Sequence, residues 1–389
     1  MINTGQLTCR IVLAKIKMFI RDIRFNTVVL FLVLFCTEAR SQLLPQNHAI
    51  VITPVYGSVT VNDKNGFFQQ NLYGVDLSYV KDISRDTDAW IELSHAKSYG
   101  LSLVIRNLNN FKGYQDTSAN SFGQAYGLAG EAEFELIKLG KSSINLTPAF
   151  GVSYITKDFF TNPKNRFIGS HFNMTLKADV NAEIPVGQTL SLIAGFGFVH
   201  YSNGALVIPN GGLNTADVFA GIKINNFMQA ASSNGSVYKP LERNTIELSA
   251  GFGRRGIPET HDGNYKSGLY AGYNFYINDL INLKAGIDGI YYYNLKDPVT
   301  TEGKYKYYGA SYKQIRSGLS AGADINLWRV SISGEAGYYI YFKRYYNNIK
   351  WYWAFGPTYY LTPHLGIRAT TYMNVAQADF INWGLVVKI

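Results

Sequence analysis

The sequence predicts an all-β protein: a transmembrane, antiparallel β-barrel of the outer-membrane type. About sixteen strands fit the chain, or an eight-stranded barrel followed by a C-terminal β extension. Three observations predict this. Beyond residue 41, no apolar run reaches the roughly eighteen residues of a spanning helix. Polar and apolar residues instead alternate with period two over long segments. The composition is 15 % aromatic but only 16 % charged, with 29 Tyr and 37 Gly, whereas soluble chains average roughly 25 % charged residues. A chain that crosses lipid without helices must close its sheet, because the bilayer offers no partner to an open edge.

The first forty-one residues read as a secretory signal. An apolar run at 27–35 (TVVLFLVLF) is too short to span and follows Arg10, Lys15, Lys17, Arg21 and Arg24. Ala39-Arg40-Ser41 fits a small-x-small cleavage site, which would leave Gln42 first; Met18 would serve equally well as a start. A membrane anchor is the competing reading, and Cys36 raises lipoprotein processing, although Phe35 before it matches poorly. Without residues 1–41, Lys and Arg fall from 36 to 30 and Asp and Glu from 27 to 25, so the net charge drops from +9 to +5. That removes most of the case for a nucleic-acid partner. Both cysteines, Cys9 and Cys36, go as well. The remainder has no disulfide, thiolate nucleophile or thiolate metal site.

The strands follow in order. Residues 122–136 alternate, with Glu131, Glu133 and Glu135 on one face. In 172–184, Phe172, Met174, Leu176, Ala178, Val180, Ala182 and Ile184 oppose six polar residues. Residues 192–202, 214–224, 281–293 and 330–340 repeat the pattern. Residues 88–107 read as one strand or two. The last strand places Trp383, Leu385, Val387 and Ile389 on one face, as outer-membrane barrels do. Tyr291-Tyr292-Tyr293 and Tyr338-Tyr339, at strand ends, resemble interfacial girdles. Short turns (185–188, 277–279, 361–364) mostly alternate with long polar loops (107–120, 255–265, 295–313), as periplasmic turns and extracellular loops should. The organisation is therefore a signal at 1–41, a barrel region at 42–226 and further strands at 227–389. The stretch 228–244 is long for a periplasmic turn and could instead link two smaller barrels. A soluble β-sandwich also alternates, but long strands with aromatic ends favour the barrel.

The chemistry concentrates at the end of strand 192–202. Its even face reads Leu192, Ala194, Phe196, Phe198, His200, Ser202. That bulky apolar face should meet lipid, and the strand starts from a short turn, so its far end is extracellular. Side chains at i and i+2 share a face, which puts an imidazole beside a hydroxyl as base-assisted nucleophilic attack requires. In the next strand Asn214 shares that side, while Asp217 points into the lumen. Spacing alone leaves an interfacial polar pair as the alternative.

The run His200-Tyr201-Ser202-Asn203-Gly204, followed by Pro209-Asn210-x-Gly212-x-Asn214, resembles the outer-membrane lipid A 3-O-deacylase family (PagL-like). So does Ile168-Gly169-Ser170-His171-Phe172-Asn173, as in larger members called acyloxyacyl hydrolases. The resemblance covers about fifteen motif residues and the barrel-like patterning of 49–226; residues 243–389 add only generic alternation. It implies an outer-membrane esterase of a Gram-negative bacterium that removes an ester-linked 3-hydroxyacyl chain from lipid A of lipopolysaccharide. Ser202 would be the nucleophile and His200 its general base, on the outer wall. Asn203, Gly204 and Asn210 match motif positions that would shape the oxyanion site. Best-known members carry an acidic residue fourteen positions after the His. Here that position is Asn214, which can hold the imidazole but cannot supply charge.

Other candidates read as structural. Ser170 and His171 are neighbours and point to opposite faces, with His171 toward the lumen. His95, His261 and His364 sit near turns. Glu131, Glu133, Glu135, Lys177 and Asp179 look like a polar lumen. Arg254-Arg255 is a loop pair that could meet lipid A phosphates. No cluster has metal-ligand spacing, no cofactor is implied, and oligomeric state is not legible. The competing function is a non-enzymatic porin or structural barrel, supported by the length of the C-terminal half.

Overall fold

The computed structural model describes residues 45–59, 71–111, 122–226, 238–293, 295–296, 305–306, 314–342, 350–374 and 377–389. The expected signal at 1–41 lies outside the described residues, as does the part of the expected linker 228–244 up to residue 237. The chain closes two separate eight-stranded antiparallel barrels rather than one ring of sixteen.

The first barrel comprises β1 (His48–Val59), β2 (Asn71–Asp82), β3 (Ala96–Asn107), β4 (Gln124–Leu139), β5 (Ser142–Ile155), β6 (Phe172–Pro185), β7 (Leu190–Ser202) and β8 (Leu213–Asn226). It closes where β1 pairs with β8, His48 opposite Asn226. The second comprises β9 (Thr245–Gly256), β10 (Gly263–Tyr276), β11 (Ile281–Tyr292), β14 (Ile315–Leu327), β15 (Val330–Tyr341), β16 (Trp351–Tyr360), β17 (Leu365–Asn374) and β18 (Gln377–Lys388). It closes where β18 meets β9. A small hairpin, β12 (Leu295–Lys296) with β13 (Tyr305–Lys306), stands on the β11–β14 loop. The ambiguous stretch 88–107 is one strand preceded by a short helix, α1 (Ala89–Ser94). Among the described residues no helix is long and apolar enough to cross a membrane.

Alternation decides which side chains face out. On β7, Leu192, Phe196 and Phe198 are exposed (46, 72 and 43 %), while Ser191, Ile193, Val199 and Tyr201 are buried. The lumens are filled by paired charges, since an unpaired buried charge is strongly destabilising. In the first barrel Arg106 binds Asp76 (2.5 Å) and Asp217 (2.8 Å), and Lys177 binds Asp76 and Asp179. Lys97 and Lys223 share Glu183. A cavity of about 40 Å³ remains among Glu131, Glu133, Lys177, Asp179 and Lys223, room for a few waters and not for a channel. In the second barrel Lys284 joins Glu247 (2.8 Å) and Glu335 (3.0 Å), and Arg368 joins Glu247.

The tyrosine runs only partly form girdles. Tyr293 is exposed, but Tyr292 and Tyr339 turn into the second lumen, where Tyr292 binds Asp379 and Tyr339 stacks on Tyr352. Alternation explains this: neighbouring residues on a strand must point to opposite faces.

Candidate active site

The β7–β8 hairpin gathers the residues singled out from the sequence. Register places His200 directly opposite Asn214. Directly opposed side chains lie within reach of one another across a strand pair, and His200 Nδ1 lies 2.5 Å from Asn214 Oδ1. With the carbonyl oxygen of Asn214 as acceptor, Nδ1 is the protonated nitrogen and Nε2 keeps its lone pair. Gly212 lies against the other side of the ring. It adopts a left-handed φ of +76°, and a Cβ there would lie 2.7 Å from His200 Cε1, so a side chain would displace the imidazole.

Ser202 is the last residue of β7 and is half-buried. Its Oγ accepts from Asn210 Nδ2 at 2.8 Å and from the Gly204 amide at 3.2 Å. Among the described residues no hydrogen bond joins Ser202 to His200. A hydroxyl has two acceptor lone pairs and one proton. Both acceptor sites of Ser202 are taken, and its proton is the part left uncommitted.

Asn203 is buried and holds the loop. Its Nδ2 donates to Ser170 Oγ (3.0 Å) and to the Val207 carbonyl (3.1 Å). Its amide N–H donates to Asn210 Oδ1 at 3.4 Å, which turns Asn210 Nδ2 toward Ser202. Of the donors expected near the serine, Gly204 N–H and Asn210 Nδ2 reach it and Asn203 does not.

Ser170, which reads as structural in the sequence, meets this loop: its Oγ accepts from Asn203 Nδ2. His171 does not face the lumen: Nδ1 lies 2.7 Å from the Ile155 carbonyl, and the ring stacks on Tyr154. It caps the strand end, where the alternation that sets face no longer applies. The two arginines offered to phosphates bond to backbone carbonyls. Arg254 donates to the His261 carbonyl, and Arg255 donates to the Ala378 and Asp379 carbonyls of β18. His364 anchors a turn through the Lys388 carbonyl (2.7 Å), and His95 ends α1 with φ 53°.

Comparison with known proteins gives these residues a family. The family model described as lipid A 3-O-deacylase (PagL) matches residues 74–223, and that described as acyloxyacyl hydrolase, C-terminal domain, matches residues 244–389. The generic-looking C-terminal strands thus belong to a recognised domain. No curated protein matches the chain. Among solved structures, Neisserial surface protein A is 11 % identical, over 46 % of this chain and 97 % of that one, with a TM-score of 0.31. The FrpB iron transporter of Neisseria meningitidis is 9 % identical (84 % and 56 % covered, TM-score 0.24). The toluene transporter TodX of P. putida is 9 % identical (90 % and 90 %, TM-score 0.17). None of these likenesses reaches a score on which an argument could rest. The two family matches span most of the chain and support a lipid A deacylase or acyloxyacyl hydrolase function, with lipid A as the substrate class: the chain belongs to the family of lipid A 3-O-deacylases and acyloxyacyl hydrolases.

Proposed function

We propose that the protein is an outer-membrane carboxylic ester hydrolase that removes an ester-linked 3-hydroxyacyl chain from lipid A. Ser202 is the nucleophile, His200 its general base and Asn214 the residue that orients His200. The observation that carries this reading is the state of the Ser202 hydroxyl, which accepts two hydrogen bonds and leaves its proton uncommitted, two residues along β7 from a histidine held by Asn214.

His200 Nε2 takes the Ser202 proton as Oγ attacks the acyl carbonyl. Catalytic hydrogen bonds are often long before substrate binds, and the step requires Ser202 Oγ to come within hydrogen-bond reach of His200 Nε2. Oγ then forms the bond to carbon. The Gly204 N–H and Asn210 Nδ2, released from Oγ, are the nearest donors for the developing oxyanion. The imidazolium returns its proton to the sugar oxygen as the ester bond breaks. Water, deprotonated by His200, then frees the fatty acid and restores Ser202. Asn214 fixes the tautomer throughout but adds no charge to offset the imidazolium.

His200 and Ser202 have the parity of the exposed apolar residues of β7. That supports a site on the outer wall of a barrel seated in the outer membrane, reached by lipid from within the leaflet. The test is mass spectrometry of lipid A from cells expressing wild type or Ser202→Ala. Loss of one 3-hydroxyacyl mass with wild type alone supports the reading, and identical spectra from two folded proteins refute it. Planar-bilayer conductance of the same proteins checks the porin alternative, which the filled lumens disfavour.

A further inference from the structure

The β7–β8 loop is held from two sides. The first barrel holds its ends, through Asn203 and through the Gly211 and Gly212 amides, which donate to the Arg166 and Phe167 carbonyls (3.1 and 3.0 Å). The middle is held by the second barrel. The Gly256 amide, at the end of β9, donates to the Ala205 carbonyl at 2.8 Å, and the Glu259 amide donates to the Ile208 carbonyl at 2.8 Å. Ala205 adopts φ 68°, in the left-handed region that favours glycine, so this carbonyl is held in a conformation that the residue would otherwise leave.

Ile381 of β18 completes the contact. It has the parity of Trp383 and Leu385, which are exposed (51 and 55 %), yet it is only 1 % exposed. The residue packed on it is Gly204: a Cβ there would overlap the Ile381 side chain and lie 3.4 Å from Met174 Cε. Gly204 is the residue whose amide points at Ser202. Around this contact Arg166 pairs with Glu259 at 3.0 Å, and Phe160 stacks on His261.

We propose that the second barrel is a positioning element of the active site, in which Gly256, the Glu259 amide and Ile381 hold the β7–β8 loop so that Gly204 and Asn210 aim at Ser202. These are positioning residues, and the inference rests on the Ser-His reading given above. It explains why a chain with a complete eight-stranded barrel carrying the motif continues into a second one.

The test uses the full chain, with kcat and KM measured on lipid A in mixed micelles. Gly256→Ala is the main variant, because a Cβ there would lie 2.9 Å from Ile208 N and from Val207 Cα, and backbone cannot give way cheaply. Ile381→Ala removes the pad under Gly204. Leu385→Ala, lower on the same face, is the control, and heat-modifiable migration on gels confirms folded barrels. A displaced loop should lower kcat of Gly256→Ala by about 10²-fold, with KM within about twofold. Ile381→Ala should follow in the same direction, and Leu385→Ala should match wild type. Wild-type kcat in folded Gly256→Ala and Ile381→Ala overturns the inference. A loss expressed in KM assigns the contact to substrate binding and overturns it too. Ser202→Ala is run alongside. If it retains turnover, the Ser-His reading falls and takes the inference with it; if it is inactive while Gly256→Ala is unimpaired, only the inference falls.

Discussion

The two barrels share strand number, topology and a charged lumen, but differ at corresponding hairpins. In the first, the outward positions at the end of its seventh strand are His200 and Ser202, with Asn214 across the pair. In the second, the seventh strand is β17, and its outward positions near the same end are Thr371 and Met373, with Ile381 facing out from β18. One scaffold therefore presents an imidazole beside a hydroxyl where the other presents a hydroxyl, a thioether and an aliphatic pad. Architecture is common to both halves, and the proposed chemistry belongs to one of them. The lumens differ as well. Tyr270, Tyr292, Tyr339, Tyr352, Tyr360 and Tyr372 are buried in the second barrel, whereas Tyr201 is the buried tyrosine of the first among the described residues. Tyr352 and Tyr372 both donate to Asp288 (2.6 and 2.8 Å), so phenols do in the second barrel part of what ion pairs do in the first.

This contrast can be broken at four places. The largest effect is expected from Ser202→Ala, which should lower deacylation by on the order of 10⁴-fold or more. The matching change in the second barrel, Thr371→Ala, should leave the rate alone; an equal loss there would erase the asymmetry. Next comes Lys284→Met, which leaves Glu335 without its cation in the second lumen and leaves Glu247 to Arg368 and Lys388. Removing one partner of a buried pair costs about 3–5 kcal/mol, readable as a lower midpoint in urea with the first barrel's lumen untouched. Third is Asn214→Ala. Freeing His200 should reduce kcat about 10²-fold, the low end of a general base's contribution. Asn214→Asp keeps the acceptor and adds charge, so its turnover should equal or exceed wild type; a dead Asp variant would mean that the site is built around the amide. The smallest effect is expected from Arg166→Ala. Its bridge to Glu259 joins two exposed side chains, and such pairs are worth about 0–1 kcal/mol. A large loss of activity would show that the rim carries more than packing.

Much of this was legible before any fold was known. Period-two alternation located the strands because each must show one face to lipid and one to the lumen. The number of rings was not legible, because alternation fixes faces and not partners: Asn226 pairs with His48 and not with a later strand, a long-range choice that no local pattern records. Helix α1 escaped because six residues leave little periodicity. At the site, His200, Ser202 and Asn214 could be read from spacing and family resemblance. The division of labour among Asn203, Gly204 and Asn210 could not, because it depends on how the loop folds back. Ile381 was hidden for a different reason. In sequence it is one more apolar residue on a lipid-facing stripe, and only its neighbour across the gap distinguishes it.

Closure of each ring by its own first and last strands also permits an order in time. The first barrel needs nothing beyond Asn226 to close, so it can be complete while later strands are still unpaired. The pad that holds its loop, Ile381, lies on the last strand of the chain. If the second barrel positions the loop, the residues proposed to cut lipid can form early and align late. A hydrolase whose substrate is the membrane receiving it would then reach working order only once its own assembly had finished.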